Sequence, residues 1–374
     1  MVKQDPFEIE QWMDLHDVDI EHNLGESCCD PITFKELQDL SGNKLNVDAI
    51  MNQKVGYGWI HGSPKLLNLV SQLYQNIQSD EIVLTNGSIG ANFLAFYTLI
   101  EKDDHVICMD PIYQQLKSVP EAFGATVDRF TLNESNHWLP DLKELQSLIK
   151  PNTKMIILNN PNNPTGSVIS DDILRDIVEI AKEKNIWVFC DEVYRPSFHS
   201  TNEVPPSIVE LYEKGISCGS TSKAFAAAGL RLGWLVCKNK EFIKEANIRR
   251  DYNAISMSPI TDLFAQFVLE NKKVLLERNY NLCIENLKII QGCIDESNGL
   301  LSWEKPKAGT TAFVKVNKNI DTLKMCAELA RDDKVLIVPG DTFGYPRYLR
   351  VGIGSATRDI QPGFTKLINY LKRN

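Results

Sequence analysis

Lys223 stands in the run Ser220-Thr221-Ser222-Lys223-Ala224-Phe225-Ala226-Ala227-Ala228-Gly229-Leu230-Arg231-Leu232-Gly233-Trp234. Small residues and alanines are an odd setting for a solvated surface charge. An amine held there can attack a carbonyl carbon. Arg231 follows eight residues later, between Gly229 and Gly233, which let backbone pack close to it. Ser220 and Ser222 add two hydroxyls. A lysine, two hydroxyls and an arginine on one turn suit a phosphorylated aldehyde. Lys223 would form a Schiff base, while Ser220, Ser222 and Arg231 hold the phosphate.

Other residues extend this chemistry. Glu81–Thr85 reads as a strand, Asn86-Gly87-Ser88-Ile89-Gly90 as a small-residue turn and Ala91–Ile100 as an apolar helix. Free N–H groups at the start of such a helix favour an anion, so Gly87, Ser88 and Ile89 offer the other half of a phosphate cup. Tyr113 lies just past the strand His105–Met109 and can stack on a planar ring. Asp191 ends the apolar strand Ile186–Cys190, where α/β sheets keep ligand groups. A buried carboxylate there stabilises a proton on a partner. Arg350 lies in the apolar run Tyr348–Gly352. A buried arginine is costly unless paired, and its planar fork suits a carboxylate.

Repeated strand, turn and helix patterns must position these groups, which predicts an α/β fold. The strands are Glu81–Thr85, His105–Met109, Ala125–Phe130, Lys154–Leu158, Ile186–Cys190, Ile216–Gly219 and Gly233–Val236. Helices are expected at Asp5–Trp12, Thr33–Leu40, Pro64–Tyr74 and Asp171–Lys184. Residues 240–258 also read as helical. The C-terminal third reads as helices over 261–297 and 321–331 with short strands over 311–316, 335–338 and 348–353. The 374 residues suffice for one large domain and a smaller one. A net charge of −9 argues against a nucleic-acid partner. No stretch is apolar for long enough to span a membrane, and the start, Met1-Val2-Lys3-Gln4-Asp5, lacks a signal-peptide pattern. Nine scattered cysteines suit a reducing cytoplasm. Cys28, Cys29 and His22 lack zinc-site spacing, so no metal is expected.

The run around Lys223 resembles the pyridoxal-phosphate (PLP) attachment signature of class I/II aminotransferases. Other motifs of that family follow in the same order. They are Tyr57 separated by four residues from Gly62, the Pro111–Tyr113 turn, Asn163-Pro164-Thr165-Gly166, and Asp191 with Tyr194. The resemblance implies the aspartate aminotransferase-like PLP fold type I. Its large domain, with a mostly parallel seven-stranded sheet, would span 46–258. A smaller α/β domain would combine 1–45 with 259–374. The strand Gly233–Val236 is expected to run antiparallel to the rest. The family also implies residue roles. Asn163 and Tyr194 donate to the cofactor's phenolic oxygen, and Asp191 keeps its ring nitrogen protonated. Tyr113 covers the ring face. Tyr57 reaches the phosphate of the other subunit in a homodimer. Arg350 binds the substrate α-carboxylate, and Gly25 lies against the substrate or is an ordinary turn glycine.

The implied activity is transfer of an amino group between an amino acid and a 2-oxo acid. The segments Asp19–Leu37 and Ile248–Pro259, with Trp12, are also similar to capreomycidine synthase, a PLP enzyme that eliminates and cyclises a hydroxyarginine. A PLP-dependent lyase or cyclase acting on a basic amino acid is therefore the alternative. No arginine precedes Arg129, so the N-terminal segment has no clamp for a second carboxylate. Glu21, Glu26 and Asp30 there either face a cation or are solvated acids. A PLP-binding transcription regulator would need an added DNA-binding domain, which an acidic chain does not suggest.

Overall fold

The computed structural model describes residues 4–374. Met1-Val2-Lys3, part of the start read above as lacking a leader, lie outside the described residues. The described chain opens with a helix, Glu8–His16, and a two-residue strand, β1 (His22–Asn23). Seven strands then build the larger sheet. They are β2 (Ile82–Asn86), β3 (His105–Asp110), β4 (Thr126–Thr131), β5 (Thr153–Asn159), β6 (Trp187–Asp191), β7 (Gly215–Ser220) and β8 (Leu232–Val236). Their order is β2-β8-β7-β6-β5-β3-β4. β8 pairs antiparallel with both of its neighbours, and the other pairings are parallel.

Parallel strands covered on both faces read as continuous apolar runs. β5 and β6 show this in Met155-Ile156-Ile157-Leu158 and Val188-Phe189-Cys190, all buried. The helices that cover them are amphipathic. In Asp171–Glu183, Leu174, Ile177, Val178 and Ala181 turn inward at helical spacing, and Ser170 caps the first turn. The topology sets the carboxyl ends of β2, β3, β5, β6 and β7 along one edge of the sheet, where ligands of open α/β sheets bind.

A second sheet holds β9 (Leu301–Trp303), β10 (Thr311–Val316), β12 (Val338–Pro339) and β13 (Tyr348–Gly352), all antiparallel. β1 pairs instead with β11 (Val335–Leu336). The N-terminal segment is therefore fastened to the C-terminal third.

Several elements differ from the sequence expectation. The first helix begins three residues later than expected and runs on to His16. The helix expected to start at Ala91 starts at Gly87, so Gly87–Gly90 form its first turn. The helix from Lys240 ends at Arg250. A C-terminal helix, Thr357–Arg373, adds to the expected elements; it buries Ile360, Phe364, Leu367, Ile368 and Leu371. Gly229 faces open space, so no close approach requires it. Gly233 does meet one, because a Cβ there would lie 2.2 Å from the carbonyl carbon of Gly87.

Candidate active site

A cavity of about 400 Å³ opens at the carboxyl edge of the larger sheet. Ser88, Ile89, Tyr113, Asn163, Asp191, Tyr194, Lys223 and Arg350 all line it. These eight predicted residues come from one helix start, four loops, the end of β6 and the middle of β13, so the fold unites groups that are far apart in sequence.

Asp191 is the last residue of β6 and is 4% exposed. Its Oδ1 accepts the Val193 N–H at 3.1 Å, and its Oδ2 accepts the Asn92 amide at 3.2 Å. Burial pushes its pKa up, opposed by the Val193 N–H, the Cys218 thiol, the Asn92 amide and the charge of Lys223. Asn92 is held in turn by the Cys218 thiol, which donates to its Oδ1 at 3.0 Å. Its amide also donates to Gln115 Oε1 at 3.1 Å. The carboxylate is thus oriented by neutral donors and lacks a cation bonded to it, which leaves it suited to stabilise a proton on a ligand. Asn92, Gln115 and Cys218 were missed in the sequence, since no local pattern marks residues that meet only through the fold.

The loop after β5 is built from its own side chains. Asn159 Nδ2 donates to the Asp191 carbonyl at 2.9 Å, and Asn159 Oδ1 accepts the Asn163 N–H at 2.6 Å. Asn163 is buried, and its side-chain oxygen has no partner. A buried amide without a partner is costly and points to a missing ligand group; the two ends of an amide are interchangeable by rotation. Tyr194 is also buried. Burial pushes its pKa up, while Lys223 and Arg350 pull it down.

Lys223 Nζ donates to Ser27 Oγ at 2.7 Å and lies 3.5 Å from Cys28 Sγ. Burial pulls the lysine's pKa down, but Cys28 and Tyr194 outweigh it and the net direction is up. The N-terminal segment crosses directly over the lysine, with the Cys29 N–H donating to the Lys223 carbonyl at 3.3 Å. Ser27 is therefore a site residue that the sequence did not single out, and Cys28, weighed there only as a metal ligand, lies beside the lysine instead. The cysteines do not combine with His22, which pairs with Asp359.

Arg350 on β13 is 3% exposed. One terminal nitrogen donates to the Gly25 carbonyl at 2.6 Å, and its Nε is buried without a partner. Gly25 thus meets the site through its backbone. Tyr113 packs against Phe7 at 5.0 Å between ring centres, and its hydroxyl donates to Glu10 Oε1 at 3.0 Å.

The remaining predicted residues lie beside the cavity or away from it. Gly87 is left-handed at φ 73°, and a Cβ there would sit 2.6 Å from an Arg231 terminal nitrogen. Arg231 is thus set against the first turn of the helix Gly87–Leu99. Asn86 at its cap makes no side-chain bond to that turn, so the N–H groups remain available. Ser220, the last residue of β7, and Ser222 in the lysine loop are buried, and Ser220 Oγ accepts the Ser222 N–H at 3.2 Å. Tyr57 stands apart, 80% exposed, in a separate depression with Trp59 and Pro259.

These residues fit pyridoxal phosphate. The uncapped helix start beside Arg231 suits the phosphate. Asp191 suits the ring nitrogen, and the unpartnered Asn163 amide suits a ring oxygen. Lys223 suits the aldehyde.

The family model for aminotransferase class I and II matches residues 35–363. The structure of a PLP-dependent aminotransferase from Streptococcus suis 89-1591 is 38% identical with a TM-score of 0.95, covering 99% of this chain and 98% of its own. Aspartate aminotransferase of Pyrococcus horikoshii is 29% identical over 88% of this chain and 85% of its own length. Capreomycidine synthase of Streptomyces vinaceus is 24% identical over 97% of this chain and 93% of its own length. With the fold, the lysine loop and the family match in agreement, the chain belongs to the aminotransferase class I and II family of PLP-dependent enzymes.

Proposed function

We propose that this enzyme moves an amino group between an amino acid and a 2-oxo acid. One observation carries the reading: Lys223, Asp191, Tyr194, Asn163, Ser88 and Arg350 line a single cavity. When bound, pyridoxal phosphate supplies an aldehyde that takes up an amine and a protonated ring that draws electrons from the substrate Cα. The chain's own residues do the rest. Arg350 binds the α-carboxylate through its free Nε edge and so fixes which Cα bond faces the ring. Lys223 Nζ would hold the aldehyde, and its free amine would take the proton from Cα. Asp191 holds the ring proton. Asn163 and Tyr194 hold the ring oxygen, and Tyr113 covers the ring. Gly87, Ser88, Ile89, Ser220, Ser222 and Arg231 hold the phosphate.

We propose a homodimer in which Tyr57 completes the partner's phosphate site. Tyr57, Val55, Trp59 and Tyr252 are all more than 60% exposed, a density of apolar surface that fits an interface. The large domain is proposed at 46–258 and the small one at 1–45 with 259–374, in line with the two sheets. All nine cysteines are free, which supports a cytoplasmic setting.

A PLP-dependent elimination or cyclisation on a basic amino acid is the second reading, favoured by the full-length likeness to capreomycidine synthase. One titration separates the two. Single amino acids are added to the purified yellow enzyme while its visible band and released ammonia are followed. Transamination is expected to bleach the band, with only a 2-oxo acid restoring it. A band that returns unaided while ammonia or a cyclic product accumulates assigns elimination instead.

A further inference from the structure

The cavity holds more acid than the proposed chemistry uses. Its lining has five carboxyl groups, Glu10, Asp14, Asp17, Glu26 and Asp191, against two cations, Lys223 and Arg350. The reading above, on which this inference rests, assigns Asp191 to the ring nitrogen, Lys223 to the aldehyde and Arg350 to the substrate carboxylate. Four acids remain at the mouth. Glu10, Met13, Asp14 and Asp17 recur at helical spacing, so one face of Glu8–His16 and its C-cap looks into the cavity. The helix is anchored by buried Ile9, which also lines the cavity, and by buried Trp12, whose indole N–H donates to the Ile337 carbonyl at 3.1 Å.

These acids differ from their neighbours in forming no ion pair among the described residues. Asp19 pairs with Lys334, Glu21 with Lys366 and Asp30 with Arg278. Among the described residues, no ion pair reaches Glu10, Asp14, Asp17 or Glu26. Of the three acids singled out in the sequence, only Glu26 faces the cavity. Burial and the nearby Glu26 carboxylate push the Asp17 carboxyl up, as expected for like charges sharing a space. A second, independent feature points to a ligand here. Arg350, 3% exposed, lines the same cavity with its Nε unpartnered. The cavity thus presents an open cationic site at one place and an unneutralised acidic face at its mouth.

We infer that Asp14, Asp17 and Glu26, with Glu10 beside them, select an amino acid whose side chain ends in a cation, a guanidinium or an ammonium. Such a substrate is anionic at the end Arg350 takes and cationic at the end that meets the acids. A dicarboxylic amino acid would put its second carboxylate among like charges, which costs affinity.

The test compares L-arginine with L-citrulline, its neutral counterpart of the same length. The bleaching rate of the holoenzyme's visible band is read at limiting amino acid, which needs no acceptor. Arginine is expected to react about tenfold faster or more, one such factor being what a modest charge interaction supplies. In Asp14→Asn/Asp17→Asn the ratio is expected to fall to about twofold. Calorimetry with 5-guanidinopentanoate, which lacks the α-amino group and cannot react, gives a readout apart from activity. Its binding should weaken in the double variant and, in the unmodified enzyme, as salt screens the acids. The salt series needs no variant to fold. Equal rates for arginine and citrulline in the unmodified enzyme, faster reaction with aspartate, or a ratio that survives the double substitution overturns the inference. Failure of the underlying reading appears separately, as borohydride attaching no cofactor to Lys223, and it takes this inference with it.

Discussion

On the floor of the cavity, Asp191, Asn163 and Tyr194 are almost wholly buried, and Asn159 and Asn92 hold their surroundings through hydrogen bonds. At its mouth, Glu10, Asp14, Asp17 and Glu26 are exposed and form no ion pairs among the described residues. The floor sits on strand ends of the larger sheet and depends on exact placement in low dielectric, where one misplaced dipole is costly. The mouth sits on a single helix and one extended segment and acts through summed charge in water. The floor therefore sets what chemistry occurs, and the mouth sets which molecule reaches it.

Breaking the floor should give the largest effects. Lys223→Ala would remove the group proposed as both aldehyde anchor and proton carrier. Turnover is expected to fall by about 10⁴-fold or more, and substantial remaining transamination would sink the assignment. Asp191→Asn keeps the shape but not the charge, and kcat is expected to fall by roughly 10²–10³-fold. The same change should stabilise the chain measured without cofactor. The Asp191 pKa is raised, so the folded state binds more protons than the unfolded state just above the unfolded pKa. Stability then declines as pH rises through that window. Asn carries no such cost. A denaturant midpoint at pH 7 higher for Asp191→Asn than for the unmodified chain checks this, and a lower one would show that the carboxylate is structural. Asn92→Leu should lower kcat by about tenfold and shift the pH profile of kcat, since it frees the Asp191 carboxyl.

The joint between the sheets gives a smaller effect, on stability. His199 is buried beside the cavity wall; its Nε2–H donates to the Gly309 carbonyl at 3.2 Å, and its Nδ1 accepts from Ser200 Oγ at 2.9 Å. Gly309 in turn packs against the Tyr194 ring. Burial lowers the His199 pKa from 6.5 to about 4, against the pull of the Gly309 carbonyl. A depressed histidine stabilises the fold fully above its unfolded pKa, and this is lost as pH falls toward its folded one. Between pH 6.5 and about 4 the loss approaches roughly 3 kcal/mol. His199→Gln should flatten the pH dependence of unfolding in that window, as denaturant titrations at several pH values would show. An unchanged slope would place the sensitivity elsewhere.

The floor was legible in the sequence because its residues follow strand signals. An apolar run ending in Asp191, or in Asn159 to Gly166, marks a strand end whatever the rest of the fold does. Lys223 was legible from its small neighbours. The network behind Asp191 was not, because Asn92, Gln115 and Cys218 come from separate elements and meet only once the sheet is built. The C-terminal helix was obscured by Pro362 and Gly363, although Ile360, Phe364, Leu367 and Leu371 carry its period. The acidic face was readable but was cut short. The expected helix stopped at Trp12, whereas Glu10, Met13, Asp14 and Asp17 show their common face only if the helix continues.

The smallest effect sharpens the contrast between floor and mouth. Asp14 lies in the last turn of its helix and Asp17 is the C-cap. Acids at a helix C-terminus oppose the helix dipole, whereas Glu8 and Glu10 in the first turn agree with it. Asp17 is further disfavoured by Glu26. Neither acid bonds to a cation among the described residues, so both positions sit against local preference. Asp14→Asn/Asp17→Asn is therefore expected to raise stability slightly, by about 0.3–1 kcal/mol at low salt, while it narrows the preference for a cationic substrate. Thermal unfolding of both chains at low and high salt measures this, and the gain should shrink as salt screens the dipole. A loss of stability would mean that the acids hold the helix in place. A gain coupled to lost selectivity would mean that they are kept at that end of the helix for what they bind.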